Sequence, residues 1–490
     1  LADEKSVVAV DLGAESGRVL LFTYDGATFK THALHRFPNT PRLHDGHLRW
    51  DWTHIQREIA HGLALAAEYH PLSVGVDAWG VDSGFIDRDG NLMFDPIHYR
   101  DVARNSQENI DHLTAKVPLT EIYRVTGIQN MSINTLYQLH WHAEHTPQVY
   151  AGSTLLYIPD LIHYWLTGVK VNEYTDATTS QAFDATTGNY ATELLARLGI
   201  PAAIFPPVKP PGTNIGPITL NHPLRGIPVI LPASHDTGSA VAGVPVSRKE
   251  YAYLSSGTWS LLGLEISAPI MSAQAQVANL TNEGGVAGTV RFLKNITGLW
   301  IMQESRRTWA AAGQSYDNAQ LVEMAAGVPA FAAFFDPNAP EFLPPGDMPA
   351  RIRAWCVRTG QPAPQSPATV ARSIFESLAL KYREVLDELK ALSGQRVEVL
   401  HIIGGGVNNR LLCQMAADSL GIEVLAGPTE ATALGNAMVQ FVGLGIIPSI
   451  EAGRAVIRAS VTTDRYLPDP QARSTWDAAY QRFSEMTAPD

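Results

Sequence analysis

The 490-residue chain reads as a mixed α/β protein built from two similar halves. Three observations predict this. Short apolar runs end abruptly at glycine-rich turns, as strands do. They alternate with stretches whose apolar residues recur at helical spacing. The opening pattern of strand, small-residue turn and strand then restarts midway along the chain.

In the first half, Val7 to Asp11 is a strand ending at Gly13, and Gly17 leads into a second apolar run, Val19 to Phe22. The pair reads as a β-hairpin. Phe37 to Trp52 mixes His, Pro and Asn and reads as irregular. Ile55 to Tyr69 has helical spacing. Val74 to Val76 is a short strand running into "DAWGVDSGF". Thr135 to His142 and Leu155 to Leu166 read as helices. Pro201 to Pro232 is dense in proline and reads as an extended connection. It ends in "PVILPASHDTGSAVAG", where the strand Val229 to Leu231 gives way to Ser234, His235, Asp236 and Thr237.

In the second half, Tyr251 to Glu265 repeats the strand, turn, strand pattern. Ser366 and Pro367 mark a helix start, serine as N-cap and proline in the first turn. Val370, Ile374, Phe375, Leu378, Tyr382, Val385, Leu386 and Leu389 give that helix one apolar face, and Gly394 ends it. "VEVLHIIGGGVNN" is a buried strand entering three glycines. "RLLCQMAADSLG" is a helix closed by Gly421, "IEVLAG" a strand, and "EATALGNAMVQFVG" a helix. The boundary falls near Val244, giving domains 1–244 and 245–490 with a cleft between them.

The totals exclude several function classes. A net charge of −12 argues against a nucleic-acid or membrane-surface partner. No stretch approaches the length of a membrane span, and the opening residues lack the apolar core of a signal peptide. Two cysteines, Cys356 and Cys413, stand in no metal spacing and suit a reducing cytoplasm. No obligate protein partner is evident. There is no Gly-Lys pair, so no P-loop, and no G-x-G-x-x-G after a strand.

The run Ser234 to Thr237 suggests a hydrolase triad only superficially. Triad members come from separate parts of a fold, and neighbours on an extended chain point to opposite faces. The alternative is structural: Asp236 or Thr237 merely caps the following helix. Three glycine-rich turns at strand ends carry the stronger signal: Gly13 to Arg18 just after Asp11, Ser255 to Thr258, and Gly404 to Gly406. Such turns let a backbone approach phosphate oxygens, and a carboxylate beside them can hold hydrated Mg2+. Asp11 fits that role. Trp79 and Trp259 read equally well as core aromatics, and Asp77 and Asp82 as site carboxylates or strand-end caps.

"VAVDLGAESGRV", "GVDAWGVD", "YRD", "NTLYQL", "NEYTDATT", "SHDTGSAV", "YLSSGTWSLLGLE", "TNEGG", "LKNITGLWIMQE" and "GPTEATALGN" together resemble the FGGY carbohydrate kinases, from Val7 to about Gln440. The first turn, "GAESGR", is similar to the form found in members that act on L-rhamnulose. The resemblance implies a pair of actin-like, ribonuclease H-like domains with ATP and sugar meeting in the cleft. It implies an ATP-dependent kinase forming a ketose 1-phosphate and ADP, with L-rhamnulose as the ketose. Asp236 matches the family's catalytic base. Gly80, His235, Asp236, Thr237 and Asn295 match sugar-contacting positions. Ala14, Glu15, Ser16, Gly17, Arg18, Thr258, Gln303 and Gly405 match positions near ATP, and Asp11 would hold Mg2+. Two other readings stay open: a kinase for another ketose, such as L-fuculose or a xylulose, and a non-catalytic actin-like protein that binds sugar or ATP.

Overall fold

A computed structural model describes residues 4–487. It separates into two compact units that do not follow chain order. The first holds residues 1–247, 265–292 and 431–461, and the second holds 248–264, 293–430 and 462–490. Among the described residues, no helix is long and apolar enough to cross a membrane. Cys356 and Cys413 are both buried and unpaired.

The first unit is organised by a six-stranded sheet. Its strand order is Asn214–Pro217, Pro228–Ile230, Val74–Ala78, Lys5–Leu12, Ser16–Tyr24, Phe29–Pro38. Lys5–Leu12 pairs antiparallel with Ser16–Tyr24, which pairs antiparallel with Phe29–Pro38. On its other side, Lys5–Leu12 runs parallel to Val74–Ala78, which runs parallel to Pro228–Ile230. The parallel strands are apolar almost throughout, as strands covered on both faces must be. Seven of the eight residues of Lys5–Leu12 and all five of Val74–Ala78 are buried.

The helix Ala431–Gly443 covers this sheet. Its Asn436 donates to Asp77 Oδ2 at 2.6 Å and to the Gly75 carbonyl at 3.2 Å, and Gln440 donates to the Val8 carbonyl at 3.0 Å. A side chain on Gly75 would collide with both. Thus a glycine and two amides fasten a helix distant in sequence onto the central strands. A core of Val7, Leu20, Phe22, Phe29, Ala437, Met438 and Phe441 fills the contact.

The second unit repeats the motif. Its strands run in the order Val290–Thr297, Trp259–Ile266, Tyr251–Ser256, Val399–Ile403, Glu423–Ala426, Asp464–Tyr466. Tyr251–Ser256 is antiparallel to Trp259–Ile266 and parallel to Val399–Ile403, which is parallel to Glu423–Ala426. Helix Pro367–Ser393 starts at Ser366, whose side chain caps Thr369 N, and ends at Gly394 with φ 68°. Its apolar face, Val370 to Leu389, is buried.

Two expectations change. Phe37 to Trp52 is not wholly irregular. A strand, Phe29–Pro38, enters it, and Arg42–His44 and His47–Arg49 form a small hairpin. Phe29–Pro38 lies at the sheet edge with most of its side chains in solvent, so the period-2 apolar signal is missing. Leu155 to Leu166 is not one helix. Thr154–Tyr157 is a strand paired with Ser83–Ile86, and the helix begins only at Ile158. A continuous apolar run does not separate strand from helix, but Pro159 in the first turn marks the start.

Candidate active site

In the first unit, three parallel strands end side by side. Asp11 and Asp77 are register partners, and Ala78 pairs next with His235. Ala78 N donates to the Ser234 carbonyl at 2.8 Å, drawing the chain after Pro228–Ile230 alongside. Asp11, Asp77 and Asp236 therefore gather at the carboxyl ends of the strands, where open α/β sheets bind ligands.

Asp236 is the first residue of helix Asp236–Ala242, and His235 stands at the N-cap without a capping side-chain bond. The helix does not owe its start to Asp236 or Thr237 as N-cap. Asp236 Oδ1 instead accepts from Thr237 N at 2.5 Å and from Thr237 Oγ1 at 3.2 Å. The helix crosses Ala431–Gly443 at Gly243 and Gly435, where added side chains would strike the carbonyls of Ala431 and Ser239. That close crossing explains the glycine in "ATALGN".

The loop before the helix is gripped from below by Glu173. Its buried Oε2 accepts from Ser234 N at 3.0 Å, Thr175 N at 2.8 Å and Thr175 Oγ1 at 2.5 Å. Thr175 Oγ1 in turn accepts from His235 N at 3.1 Å. Backbone of Asp236 is thus held through its two preceding residues, not by its own side chain.

Burial and crowding of like charges shift these carboxyls upward. Asp236 keeps 30 % of its side chain exposed. Even so, loss of water around it, reinforced by the charge of Asp11, pushes its pKa to about 7. Asp77, wholly enclosed, is raised well above the usual value by burial and then by Asp11, against the hydrogen bond from Asn436. Burial raises Glu173 to about 8 and drives Asp176 strongly upward. Asp82 is different in kind. Raised to about 6 by burial, it ties Trp50 Nε1 at 2.7 Å, Trp79 Nε1 at 3.1 Å and Tyr99 N at 3.2 Å. It is a structural hub, and Trp79 is a core aromatic.

His235 lies against Gly80, where a Cβ would come 3.2 Å from the ring and 3.4 Å from Thr179 Oγ1. Thr237 is buried next to Asp236. The structure thus brings Gly80, His235, Asp236 and Thr237 together. In the first turn, Gly13 N donates to the Ser16 carbonyl at 2.9 Å, leaving Glu15 and Ser16 exposed. Asn39 clamps the turn, its N on the Glu15 carbonyl at 3.0 Å and its Nδ2 on the Gly13 carbonyl at 3.1 Å. Gly17 is required by packing, since a side chain there would enter the Phe37 ring. Arg18 Nε lies 3.4 Å from Asp11 Oδ2.

The second unit assembles the other turns. Gly257 N donates to the Trp259 carbonyl at 2.8 Å, and Gln303 Nε2 donates to Thr258 Oγ1 at 3.3 Å. Gly404 adopts φ +84°, and a Cβ there would lie 3.0 Å from the Ser256 carbonyl. Gly406 packs onto the Ser256 side chain, while Gly405 is exposed with open space where a side chain would project. Thr258 and Gly405 therefore sit in two packed turns, and Gln303 reaches Thr258 from the helix Trp300–Ala311. Asn295 also lies in the second unit, and its carbonyl accepts from Asn338 Nδ2 at 3.3 Å.

Comparison with known proteins decides the family. The sequence profile of the FGGY family of carbohydrate kinases matches with its N-terminal domain over residues 6–243 and with its C-terminal domain over residues 252–444. The chain belongs to the FGGY family of carbohydrate kinases. Its activity is that of an ATP-dependent sugar kinase. It is 41% identical over 487 residues to a rhamnulokinase of Bacteroides thetaiotaomicron, covering 98% of this chain and 99% of that one. It is 38% identical over 495 residues to a rhamnulokinase of Enterococcus faecalis, covering 99% of each. Its fold matches a ligand-bound xylulose kinase of Lactobacillus acidophilus with TM-score 0.80 at 17% identity, over 98% of this chain and 97% of that one. A Plasmodium falciparum glycerol kinase with ADP matches with TM-score 0.77 at 16% identity, over 99% of each chain.

The kinase offers Mg2+ a fitting but incomplete donor set. Asp11 and Asp77 face each other across paired strands with Asp236 nearby, and their mutual repulsion is what a divalent cation would relieve. Among the described residues no cluster of three or more His, Cys, Asp or Glu forms a protein cage for a metal. Several residues packed around the candidate site had no signal in the sequence: Asn39, Glu173, Asp176, Glu283 and Arg291. "NEYTDATT" and "TNEGG" do hold acidic residues among small ones, but only the fold reveals that those acids are buried.

Proposed function

We propose that this kinase transfers the γ-phosphoryl group of ATP to O1 of L-rhamnulose, giving L-rhamnulose 1-phosphate and ADP, a step of L-rhamnose breakdown in the cytoplasm. The observation that carries the chemistry is Asp236, a partly open carboxylate at a strand–helix junction whose pKa stands near 7. The choice of sugar rests on relatives named rhamnulokinase that align with nearly the whole chain.

In this reading Asp236 takes the proton of the O1 hydroxyl as O1 attacks. The O1–Pγ bond forms, the bond from Pγ to the bridging oxygen breaks, and ADP carries that oxygen away. A base with pKa near the working pH is suited to this, and such bases contribute about 10²–10⁴-fold. Gly80, His235, Thr237 and Asn295 bind the sugar. Ala14, Glu15, Ser16, Gly17 and Arg18 approach the phosphates, and Thr258, Gln303 and Gly405 hold the nucleotide. Mg2+, held through Asp11, would supply charge neutralisation at the phosphate oxygens. Phosphoryl transfer asks for positioning and charge stabilisation more than for covalent chemistry, which is what these residues offer. The functional halves in this account are 1–244, carrying the sugar and first phosphate turn, and 245–490, carrying the nucleotide.

The test is ADP release with Mg-ATP over L-rhamnulose, L-fuculose, D-xylulose, L-ribulose and D-fructose. L-rhamnulose should stand well above the rest in kcat/KM. If another ketose leads, the sugar assignment falls while the kinase stands. If no ketose stimulates release, the residue assignments fall with it.

A further inference from the structure

We infer that Arg291, anchored by Glu283, is a positioning residue that fixes the tautomer of His235, so that its Nε2–H is a standing, uncharged donor to a hydroxyl oxygen of the sugar. The inference rests on the reading above that His235 contacts the sugar. What it adds is the direction of that hydrogen bond and the residues that set it.

The geometry starts from Arg291, whose side chain has no exposed surface. Its Nε donates to the Gly284 carbonyl at 2.8 Å, its Nη1 lies 3.0 Å from Glu283 Oε2, and its Nη2 lies 3.1 Å from His235 Nδ1. A guanidinium has donors only, so Nδ1 must accept. A neutral imidazole that accepts at Nδ1 carries its proton at Nε2. Glu283 Oε2 is the rival partner for Nδ1, but at 3.6 Å it is farther than the arginine that it anchors. On the opposite edge of the ring, Nε2 lies 3.5 Å from Asp236 Oδ1. A side chain on Gly80 would crowd that edge, its Cβ lying 3.2 Å from Nε2.

The charged groups facing the ring are Arg291, Glu283 and Asp236, while the buried carboxyls of Glu173 and Asp176 stand behind the loop. Burial and then the Arg291 charge hold the His235 pKa well below the usual imidazole value. The consequence reaches Asp236. A neutral ring exerts no cationic pull on it, so Asp236 keeps its raised affinity for a proton and His235 does not compete as a base.

The ring nitrogens can be observed directly in the full chain labelled with 15N-histidine, His235 being assigned by the signals lost in His235→Gln. In the sugar-free enzyme Nε2 should be protonated and Nδ1 bare throughout about pH 5 to 8. Glu283→Gln should keep that pattern, because the arginine donor remains. Arg291→Met should move the proton to Nδ1, towards Glu283, or protonate both nitrogens, and KM for the ketose should rise about tenfold with a smaller change in kcat. A wild-type ring with its proton on Nδ1, or doubly protonated near neutral pH, overturns the assignment whether or not Arg291→Met folds. Because these spectra need no sugar, an enzyme with the assigned tautomer that phosphorylates no ketose would refute the sugar reading and leave the tautomer standing.

Discussion

The two units place their special residues at the same topological position and fill it with opposite chemistry. In each, a central strand is antiparallel to the next in sequence and parallel to a later one. The carboxyl ends of the parallel strands carry the candidate residues. In the first unit those ends bear Asp11, Asp77 and Asp236, and burial, then the charge of Asp11, raises the proton affinity of Asp77 and Asp236. In the second they bear Ser256, Thr258 and the glycines 404–406, with no carboxylate in either turn. In the proposed reading the first unit supplies the base and the first phosphate turn, and the second brings backbone close to the nucleotide. The same sheet supports both because only the residues after the strands differ.

Breaking the first half of this comparison should have the largest effect. Asp236→Asn should lose about 10²–10⁴-fold in kcat, measured as ADP formation with saturating ketose. The pH profile comes next. With Asp236 near 7, kcat/KM should fall about tenfold per pH unit on the acid side of that value, since the protonated carboxyl takes no proton from O1. A profile flat down to about pH 5 would separate the base from Asp236.

The second unit is broken through its backbone. Gly404 combines φ +84° with a contact to the Ser256 carbonyl. Gly404→Ala should cost about 1–3 kcal/mol of stability, read as a lowered Tm, and weaken nucleotide binding. A last test sharpens the account of the loop grip. Glu173 has a folded pKa of about 8 against an ordinary 4.5. A carboxyl raised on folding stabilises the fold fully below its unfolded value and loses that contribution as pH climbs through its folded value. The Tm of the wild type should therefore fall from about pH 5 to about pH 9 more steeply than that of Glu173→Gln, whose amide stays neutral.

Much of this was legible in the sequence. Glycine turns at strand ends, Ser366 as a cap and the apolar face from Val370 to Leu389 report local physics, and the structure places them accordingly. The polar run Ser234 to Thr237 stood out after a buried strand, but the role proposed for Asp236 came from the resemblance to the FGGY kinases. What was hidden is long-range. Asn436 and Gln440 read as ordinary helix residues until the fold lays them on Gly75 and Val8. Arg291 sits in the strand Val290–Thr297, with nothing in the local pattern to show that its guanidinium would meet His235. The grouping of 265–292 and 431–461 with the first unit likewise follows from packing that no local pattern encodes.

The central proposal is that Asp236 takes the proton while other residues, in the first phosphate turn and in the second unit, hold the nucleotide. Calorimetric titration of ADP into Asp236→Asn tests it most directly, on the same preparation used for turnover. The account predicts a Kd within about threefold of the wild type, under ~1 kcal/mol, while turnover is all but lost. A loss of ADP affinity that matches the loss of turnover would contradict it.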